Sequence, residues 1–79
     1  MPVFTVPPRR VDARGRLCPL PTLLASLNLE NMGSGDILEL RADDPITRQD
    51  FPAWCREFGH DLANIREETD SFVFTVLKK

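Results

Sequence analysis

The sequence contains few of the residues on which self-contained catalytic sites are usually built. It has one histidine, His60, and two cysteines, Cys18 and Cys55, that lie far apart in the chain. A cysteine hydrolase needs a base, most often histidine, beside its thiol, and no histidine neighbours Cys18. A dithiol oxidoreductase would place a second cysteine close behind the first, where this chain has Pro21. Because these residues match no common metal-ligand spacing, we expect neither a metal site nor a cofactor.

Long apolar runs and a strong charge excess are also missing. No apolar run approaches the roughly 20 residues that cross a bilayer. The net charge is −2 with 28% charged residues, which argues against disorder and against general nucleic-acid binding. The first positive charges, Arg9 and Arg10, follow the short apolar start of the chain, the reverse of their order in a secretory signal. We therefore expect a cytoplasmic protein without a membrane span, with both cysteines as reduced thiols.

The 79 residues suffice for one small domain. Residues 1–8 hold three of the seven prolines and are expected to form an irregular lead-in. Residues 9–79 are expected to form a single domain. A domain of this size buries only roughly 60–65% of the surface that its unfolded chain exposes, so a large substrate cavity is not expected.

The residue pattern predicts four strands and two helices in the order β-α-β-α-β-β. The first helix should run from Pro19 to about Met32. The second should begin at a capping pattern of Thr47 and Asp50, with Pro52 in its first turn, and end at Gly59. Strands are predicted over residues 9–13, 36–42, 61–68 and 72–79. The expected fold is α+β, a two-layer sandwich with both helices on one face of a four-stranded mixed sheet.

The stretch DARGRLCPLP, residues 12–21, places Cys18 at the predicted start of the first helix. Only a thiolate is a competent nucleophile, and a free thiol has a pKa of about 8.5. Unpaired N–H groups and the dipole at a helix start favour the anion. Arg14 or Arg16 would favour it further if either lies near the sulfur atom. With no base and no second cysteine nearby, Cys18 is expected to accept a group and pass it on.

This stretch resembles the signature D-x-R-G-x-x-C-P-x-P of the TusA/SirA-type sulfur-carrier family. The matching residues are Asp12, Arg14, Gly15, Cys18, Pro19 and Pro21. The similarity covers roughly residues 9–79: GDILELRADDP resembles the second strand and turn of the family, and DFPAWCREFGHDL resembles its second helix. The length and the β-α-β-α-β-β order agree as well.

The resemblance implies that Cys18 carries sulfur as a persulfide. The supporting residues are Asp12, Arg14, Gly15, Pro19 and Pro21 of the matching stretch, together with Arg16. Sulfane sulfur would come from a cysteine desulfurase, a rhodanese-like enzyme or a related carrier. It would pass to a downstream acceptor protein in tRNA thiolation, molybdenum-cofactor synthesis or sulfur oxidation. Such a protein transfers sulfur together with partner sulfurtransferases and is not a stand-alone enzyme.

The first helix departs from the family pattern because no lysine or arginine lies between residues 17 and 40. Periodicity alone predicts that its core face carries Leu20, Leu23, Leu24 and Leu27. The resemblance places the core face nearly opposite, at Thr22, Ala25, Leu29 and Met32. We favour the second register, which leaves the leucines partly exposed beside Cys18 as a docking surface for partner proteins. We expect a monomer or a weak dimer.

Two other functions compete with the sulfur carrier. A nucleic-acid-binding module would use the arginine cluster before Cys18, although the acidic net charge and the lack of basic residues in the first helix argue against it. This cluster consists of Arg9, Arg10, Arg14 and Arg16. A regulatory subunit would dock through the leucines and use Cys18 as a redox-sensing thiol. Cys55 shares an apolar helical stripe with Trp54 and Phe58, so a buried structural thiol is favoured over a resolving cysteine. His60 is expected to have a capping or other satisfied polar role.

Overall fold

The structure is a computed structural model that describes residues 7–79, so residues 1–6 of the predicted lead-in lie outside it. Its elements are β1 (Arg9–Asp12), α1 (Leu20–Glu30), β2 (Ile37–Ala42), α2 (Pro45–Glu57), β3 (Asp61–Glu67) and β4 (Phe72–Leu77). The predicted order and the predicted α+β class are confirmed. Within the part described, neither helix is long and apolar enough to cross a membrane.

The four strands form one mixed sheet in the order β1-β2-β4-β3. β1 runs parallel to β2, and β4 is antiparallel to both β2 and β3. Val11 lies opposite Leu40, which in turn lies opposite Phe74. Because side chains alternate along a strand, one face of the sheet carries the buried side chains Leu38, Leu40, Ala42, Phe72, Phe74 and Val76. The two helices cover this face.

The core is built where the two helices meet that face of the sheet. α1 contributes Ala25 and Leu29, and α2 contributes Phe51 and Cys55, all of which are almost fully buried. The rings of Phe51 and Phe74 lie 4.7 Å apart between centroids. Burial of each large apolar side chain contributes roughly 1.5–3 kcal/mol to folding, so these few contacts fix how the helices sit on the sheet.

The register of α1 agrees with the family resemblance. Pro21, Ala25 and Leu29 are its buried residues, whereas Leu20 and Leu23 are 46% and 50% exposed and Leu27 is 58% exposed. Thr22 and Met32, the other two expected core residues, are half-buried, and so is Leu24, which packs against the core. The prediction from periodicity alone is wrong because α1 carries apolar residues around most of its circumference, so periodicity does not select one face.

α2 begins earlier than the capping pattern at Thr47 and Asp50 predicts. Asp44 is the N-cap, and its carboxylate accepts hydrogen bonds from the backbone N–H groups of Ile46 (3.4 Å) and Thr47 (3.3 Å). Asp44 followed by proline in the first turn is a favourable helix start. As a consequence Pro52 lies inside the helix, where it removes one backbone hydrogen bond, and its predicted place in the first turn is wrong.

The C-terminus of α2 lies where the sequence predicts it. Gly59 has a φ of +78°, a conformation that glycine adopts without steric cost. The Gly59 N–H donates to the Arg56 carbonyl (3.3 Å), and the His60 N–H donates to the Cys55 carbonyl (2.9 Å). These two bonds form a Schellman motif, so the capping role expected for His60 is performed by its backbone.

Candidate functional site

Cys18 lies in the loop that joins β1 to α1. The loop starts at Ala13, which is fully buried and donates its N–H to the Arg41 carbonyl in β2 (2.7 Å). A tight turn follows, in which the Arg16 N–H donates to the Ala13 carbonyl (3.1 Å) and Gly15 has a φ of +78°. The first half of the loop is therefore attached to the sheet.

Cys18 is a free thiol on a half-buried residue, directly before Pro19, the N-cap of α1. The Cys18–Pro19 peptide bond is cis. Leu17, on the other side of the cysteine, is 70% exposed. The second half of the loop therefore lies at the protein surface, and the prediction that Cys18 stands at the mouth of the first helix is confirmed.

The backbone around Cys18 offers fewer free donors than the sequence suggests. The Cys18 N–H donates to Asp44 Oδ2 (2.8 Å), and the Leu20 N–H donates to the Leu17 carbonyl (2.9 Å). Pro19 and Pro21 have no N–H at all. From position 18 to position 21 no backbone N–H is left for an anion, so the expected stabilisation by unpaired N–H groups is wrong for these positions.

Arg14 is held by Asp12 in a two-point ion pair. Arg14 Nε lies 2.9 Å from Asp12 Oδ1, and Arg14 Nη2 lies 2.7 Å from Asp12 Oδ2. The hydrogen bonds from Arg14 lower the pKa of Asp12 to about 2, and the same pair raises the pKa of Arg14. The guanidinium is therefore engaged by Asp12, and a place for Arg14 at the sulfur atom is not supported.

The other arginines before Cys18 are directed to other parts of the surface. Arg9 donates to the side chain of Asn28 (3.2 Å), and Arg10 forms an ion pair with Glu39 (3.0 Å). Arg16 is exposed. The arginine cluster is thus divided in space. Arg9 and Arg10 point to opposite faces of the sheet because alternate residues of β1 do so, and Arg14 and Arg16 lie in the loop beyond β1.

Two adjacent aspartates that the sequence suggests only as turn and cap residues contact the cysteine loop. Both carboxylate oxygens of Asp43 accept from the Gly15 N–H (3.0 and 3.1 Å), and Asp44 accepts from the Cys18 N–H. Asp44 is only 6% exposed. The hydrogen bond from Cys18 lowers the pKa of Asp44, with further lowering by Thr47 and the Ile46 N–H. The only available sequence signal was that ADDP belongs to the stretch that resembles the family.

An exposed apolar strip runs from the cysteine loop along α1. We call it the leucine face, and it consists of Leu17, Leu20, Leu23 and Leu27. The three helical members share one side of α1, and no charged residue lies between positions 17 and 29. Leu24, which sequence analysis counted with this face, is half-buried against the core and contributes little to it.

Cys55 and His60 lie away from Cys18. Cys55 is 1% exposed, and burial raises the pKa of its thiol to about 12, so the preferred interpretation of a buried structural thiol agrees with the structure. His60 stacks on Trp54 with ring centroids 5.6 Å apart, and its pKa is lowered by burial and by the charges of Lys78 and Lys79. The full length of α2, about 20 Å at 1.5 Å per residue, separates His60 from Asp44 and hence from the cysteine loop.

Two surface depressions lie away from Cys18. One, of about 480 Å³ on the open face of the sheet, is lined by Arg10, Val11, Asp12, Glu39, Arg41, Arg66 and Val73. The other, of about 520 Å³ at the end of α2, is lined by Pro52, Cys55, Arg56, Gly59, His60, Asp61 and Leu62. Among residues 7–79 no group of three or more His, Cys, Asp or Glu residues is placed to hold a metal ion. In the part of the chain that the structure describes, Cys18 has no histidine beside it, and its thiol can bind and release a group covalently.

Comparison with known proteins places the chain among sulfur-transfer proteins. The sequence profile of the family described as "Sulfurtransferase TusA" matches residues 9–78. The chain is 35% identical over 69 residues to the sulfur carrier protein TusA of Pseudomonas putida strain W619, covering 87% of this chain and 86% of the relative. It is 33% identical, with the same coverage, to the sulfur carrier protein TusA of Pseudomonas entomophila strain L48.

A solved structure supports the fold independently. The SirA-like protein from Desulfitobacterium hafniense superposes with a TM-score of 0.76 at 23% sequence identity. The superposition covers 86% of this chain and 93% of the other. Two helices on one face of a four-stranded mixed sheet are therefore an arrangement that this chain shares with a known fold.

Proposed function

Because the chain belongs to the TusA sulfurtransferase family, we propose that Cys18 accepts sulfane sulfur as a persulfide and relays it to a downstream acceptor protein. The observation that carries the proposal is the state of Cys18, a free thiol on a part-exposed residue within the matching D-x-R-G-x-x-C-P-x-P stretch. The donors whose chemistry fits are a cysteine desulfurase or a rhodanese-like enzyme, each of which presents a persulfide on its own cysteine.

The transfer is a thiol–persulfide exchange that needs no further reactant. The Cys18 thiolate attacks the outer sulfur of the donor persulfide, and a new S–S bond forms at Cys18 as the donor S–S bond breaks. The electron pair of the broken bond leaves with the donor cysteine as its thiolate. Unloading repeats the exchange, with the acceptor thiolate as nucleophile and Cys18 as leaving group. The number of S–S bonds is unchanged, so no net oxidation occurs.

The surroundings of Cys18 favour a protein substrate over a complete enzyme. Arg14 is engaged by Asp12, and the backbone N–H groups of positions 18–21 are absent or used. Proton transfer and stabilisation of the developing charges therefore fall to the partner enzyme. Pro19 and Pro21 restrict the backbone beside the thiol, which reduces the ordering cost when the loop enters the active site of a partner.

The leucine face is the surface that we assign to partner docking. It begins beside Cys18 and is apolar, and contact with another protein would bury it. Direct binding of nucleic acid receives no support from α1, which has no lysine or arginine. The arginines before Cys18 do not supply a basic face either, because Arg10 and Arg14 are paired with carboxylates.

Intact-mass spectrometry tests the proposal. The reduced protein is incubated with a cysteine desulfurase and cysteine, or with a rhodanese and thiosulfate. We expect a gain of one sulfur atom that a reductant reverses. Cys18→Ser should abolish the gain, and Cys55→Ala, the matched control, should retain it. Equal gains in the two variants, or no gain in the wild-type protein with either donor, would refute the proposal.

A further inference from the structure

The cysteine loop is held at two points by one dipeptide. Asp43 and Asp44 follow β2 directly and precede α2. Asp43 accepts a hydrogen bond from the N–H of Gly15, in the first half of the loop, and Asp44 accepts one from the N–H of Cys18 itself. The residue that carries the thiol is therefore attached to an element remote from it in the sequence.

Asp44 is more than the N-cap of α2, as the distances show. Its Oδ2 atom lies 2.8 Å from the Cys18 nitrogen, whereas the two backbone nitrogens that it caps lie at 3.3 and 3.4 Å. Shorter N–O distances within this range correspond to better hydrogen bonds. The Thr47 hydroxyl, on a fully buried side chain, donates to the same Oδ2 atom (3.0 Å) and helps to hold it in place. Of these donors to the Asp44 carboxylate, the Cys18 N–H is therefore the nearest.

We propose that Asp43 and Asp44 are positioning residues for sulfur transfer, with Asp44 fixing the Cys18 backbone relative to α2 through the Cys18 N–H. α2 is anchored in the core by Phe51, which is fully buried. A chain of contacts therefore runs from the core through α2 and Asp44 to the cysteine. The inference rests on the proposed function, because a nucleophile must meet the donor S–S bond in line, and small misplacements slow such a step strongly.

Two substitutions at position 44 separate positioning from helix capping. Serine, asparagine and aspartate are comparable N-caps, so neither variant should lose the helix start. Asp44→Asn keeps an acceptor at the length of the native side chain, whereas the shorter side chain of Asp44→Ser ends before the Cys18 nitrogen. We expect Asp44→Ser to load sulfur from a cysteine desulfurase and cysteine about tenfold more slowly than wild type, and Asp44→Asn to regain most of the rate.

Gly59→Ala is the control for a loss of stability without a change in the loop. It strains the other end of α2, where φ is +78°, and should lower the melting temperature while leaving the loading rate unchanged below that temperature. Asp43→Ala, at an exposed position, is a second test that does not touch the cap. It should slow loading by a smaller factor, because it releases Gly15 and leaves the Cys18 contact in place.

Hydrogen exchange of the Cys18 amide, measured by NMR, tests the contact without any sulfur chemistry. We expect protection in wild type and Asp44→Asn and its loss in Asp44→Ser. If wild type shows this pattern but gains no sulfur from either donor, the proposed function fails and the contact stands. The inference is overturned if Asp44→Ser loads at the wild-type rate. It is also overturned if Asp44→Asn is as slow as Asp44→Ser while its Cys18 amide stays protected, since charge and not the hydrogen bond would then matter.

Discussion

Cys18 and Cys55 are the same residue type in opposite surroundings. Cys18 lies in a surface loop, and Cys55 lies in the core at 1% exposure with a pKa of about 12. A thiol reacts as its thiolate and only where a reagent reaches it. The environment therefore determines which of the two thiols is chemically available, and of the two only Cys18 lies within reach of a reagent.

This contrast predicts selective alkylation. Iodoacetamide at neutral pH should modify the folded protein once, at Cys18, and modify Cys55 only after unfolding by a denaturant. Intact mass followed by peptide mapping measures the outcome. Cys18→Ser should stay unmodified while folded. Modification of Cys55 in the folded protein at a rate similar to Cys18 would contradict its burial.

The raised pKa of Cys55 also predicts how stability depends on pH. In the unfolded chain this thiol ionises near its ordinary pKa of about 8.5, whereas in the folded protein it ionises at about 12. Between these values the unfolded state binds fewer protons, so the contribution of Cys55 to the free energy of unfolding falls as pH rises. Urea denaturation of wild type and Cys55→Val is measured at pH 7, 9 and 10. As pH rises, the free energy of unfolding of the variant should increase relative to that of wild type. A constant difference across this range would be inconsistent with the shift.

At the scale of elements, α1 and α2 show what the sequence could and could not predict. β2 is predictable from alternation and β4 from its β-branched and aromatic residues, whereas β3 has the weakest pattern. The end of α2 is predictable from Gly59. The face of α1 was predictable only from the family resemblance, because apolar residues surround the helix. The start of α2 is signalled locally by Asp44 before Pro45, a favourable helix start, but the pattern of Thr47 and Asp50 competes with that signal in the sequence. The motif identifies Cys18, but Asp44, which accepts the Cys18 N–H, lies too far away in the sequence to be identified as its partner.

Lysine substitutions on α1 test its register. Ala25→Lys places a charge and a long side chain at a fully buried position, and should cost more than about 3 kcal/mol of unfolding free energy, since both overpacking and charge burial contribute. Leu23→Lys, at a half-exposed position, should change stability by less than about 1 kcal/mol. Urea denaturation followed by circular dichroism compares them. If Ala25→Lys stayed folded while Leu23→Lys unfolded, the assigned buried face of α1 would be wrong.

The leucine face makes a second prediction for α1, concerning partner docking. Leu23→Lys combined with Leu27→Lys should raise the donor concentration needed for half-maximal sulfur loading, because the variant replaces apolar contact area by charge. The maximal rate and the alkylation of Cys18 by iodoacetamide should stay close to those of wild type. Ile37→Lys, at another exposed apolar position but on β2, is the matched control. If Ile37→Lys raised the half-maximal donor concentration as much as the double variant does, a docking role for the leucine face would be contradicted.

At the scale of the whole molecule, the two faces of the sheet have different characters. One face is covered by the helices, and the other carries ion pairs: Arg10 with Glu39, and Glu68 with both Arg41 and Arg66. These pairs are solvent-exposed, and exposed pairs contribute little to stability. The leucine face lies on the helix side next to Cys18, and Phe58, at the far end of α2, is also exposed.

The leucine face therefore predicts the association state. We expect the protein to sediment as a monomer at micromolar concentration and to associate weakly at higher concentration. The Leu23→Lys and Leu27→Lys double variant should remain monomeric throughout. Analytical ultracentrifugation over a concentration series measures both. A stable dimer that survives in the double variant would place self-association on a different surface.

The shortage of free backbone donors beside Cys18 bears on the direction of sulfur flow. A site rich in such donors would trap its cargo, whereas this loop gives an arriving sulfur atom little that its previous holder lacked. Because the exchange conserves the number of S–S bonds, the loop itself supplies little driving force for transfer in either direction. Under the proposed function, supply of sulfur by the donor and its consumption by the acceptor would then set the direction of net transfer.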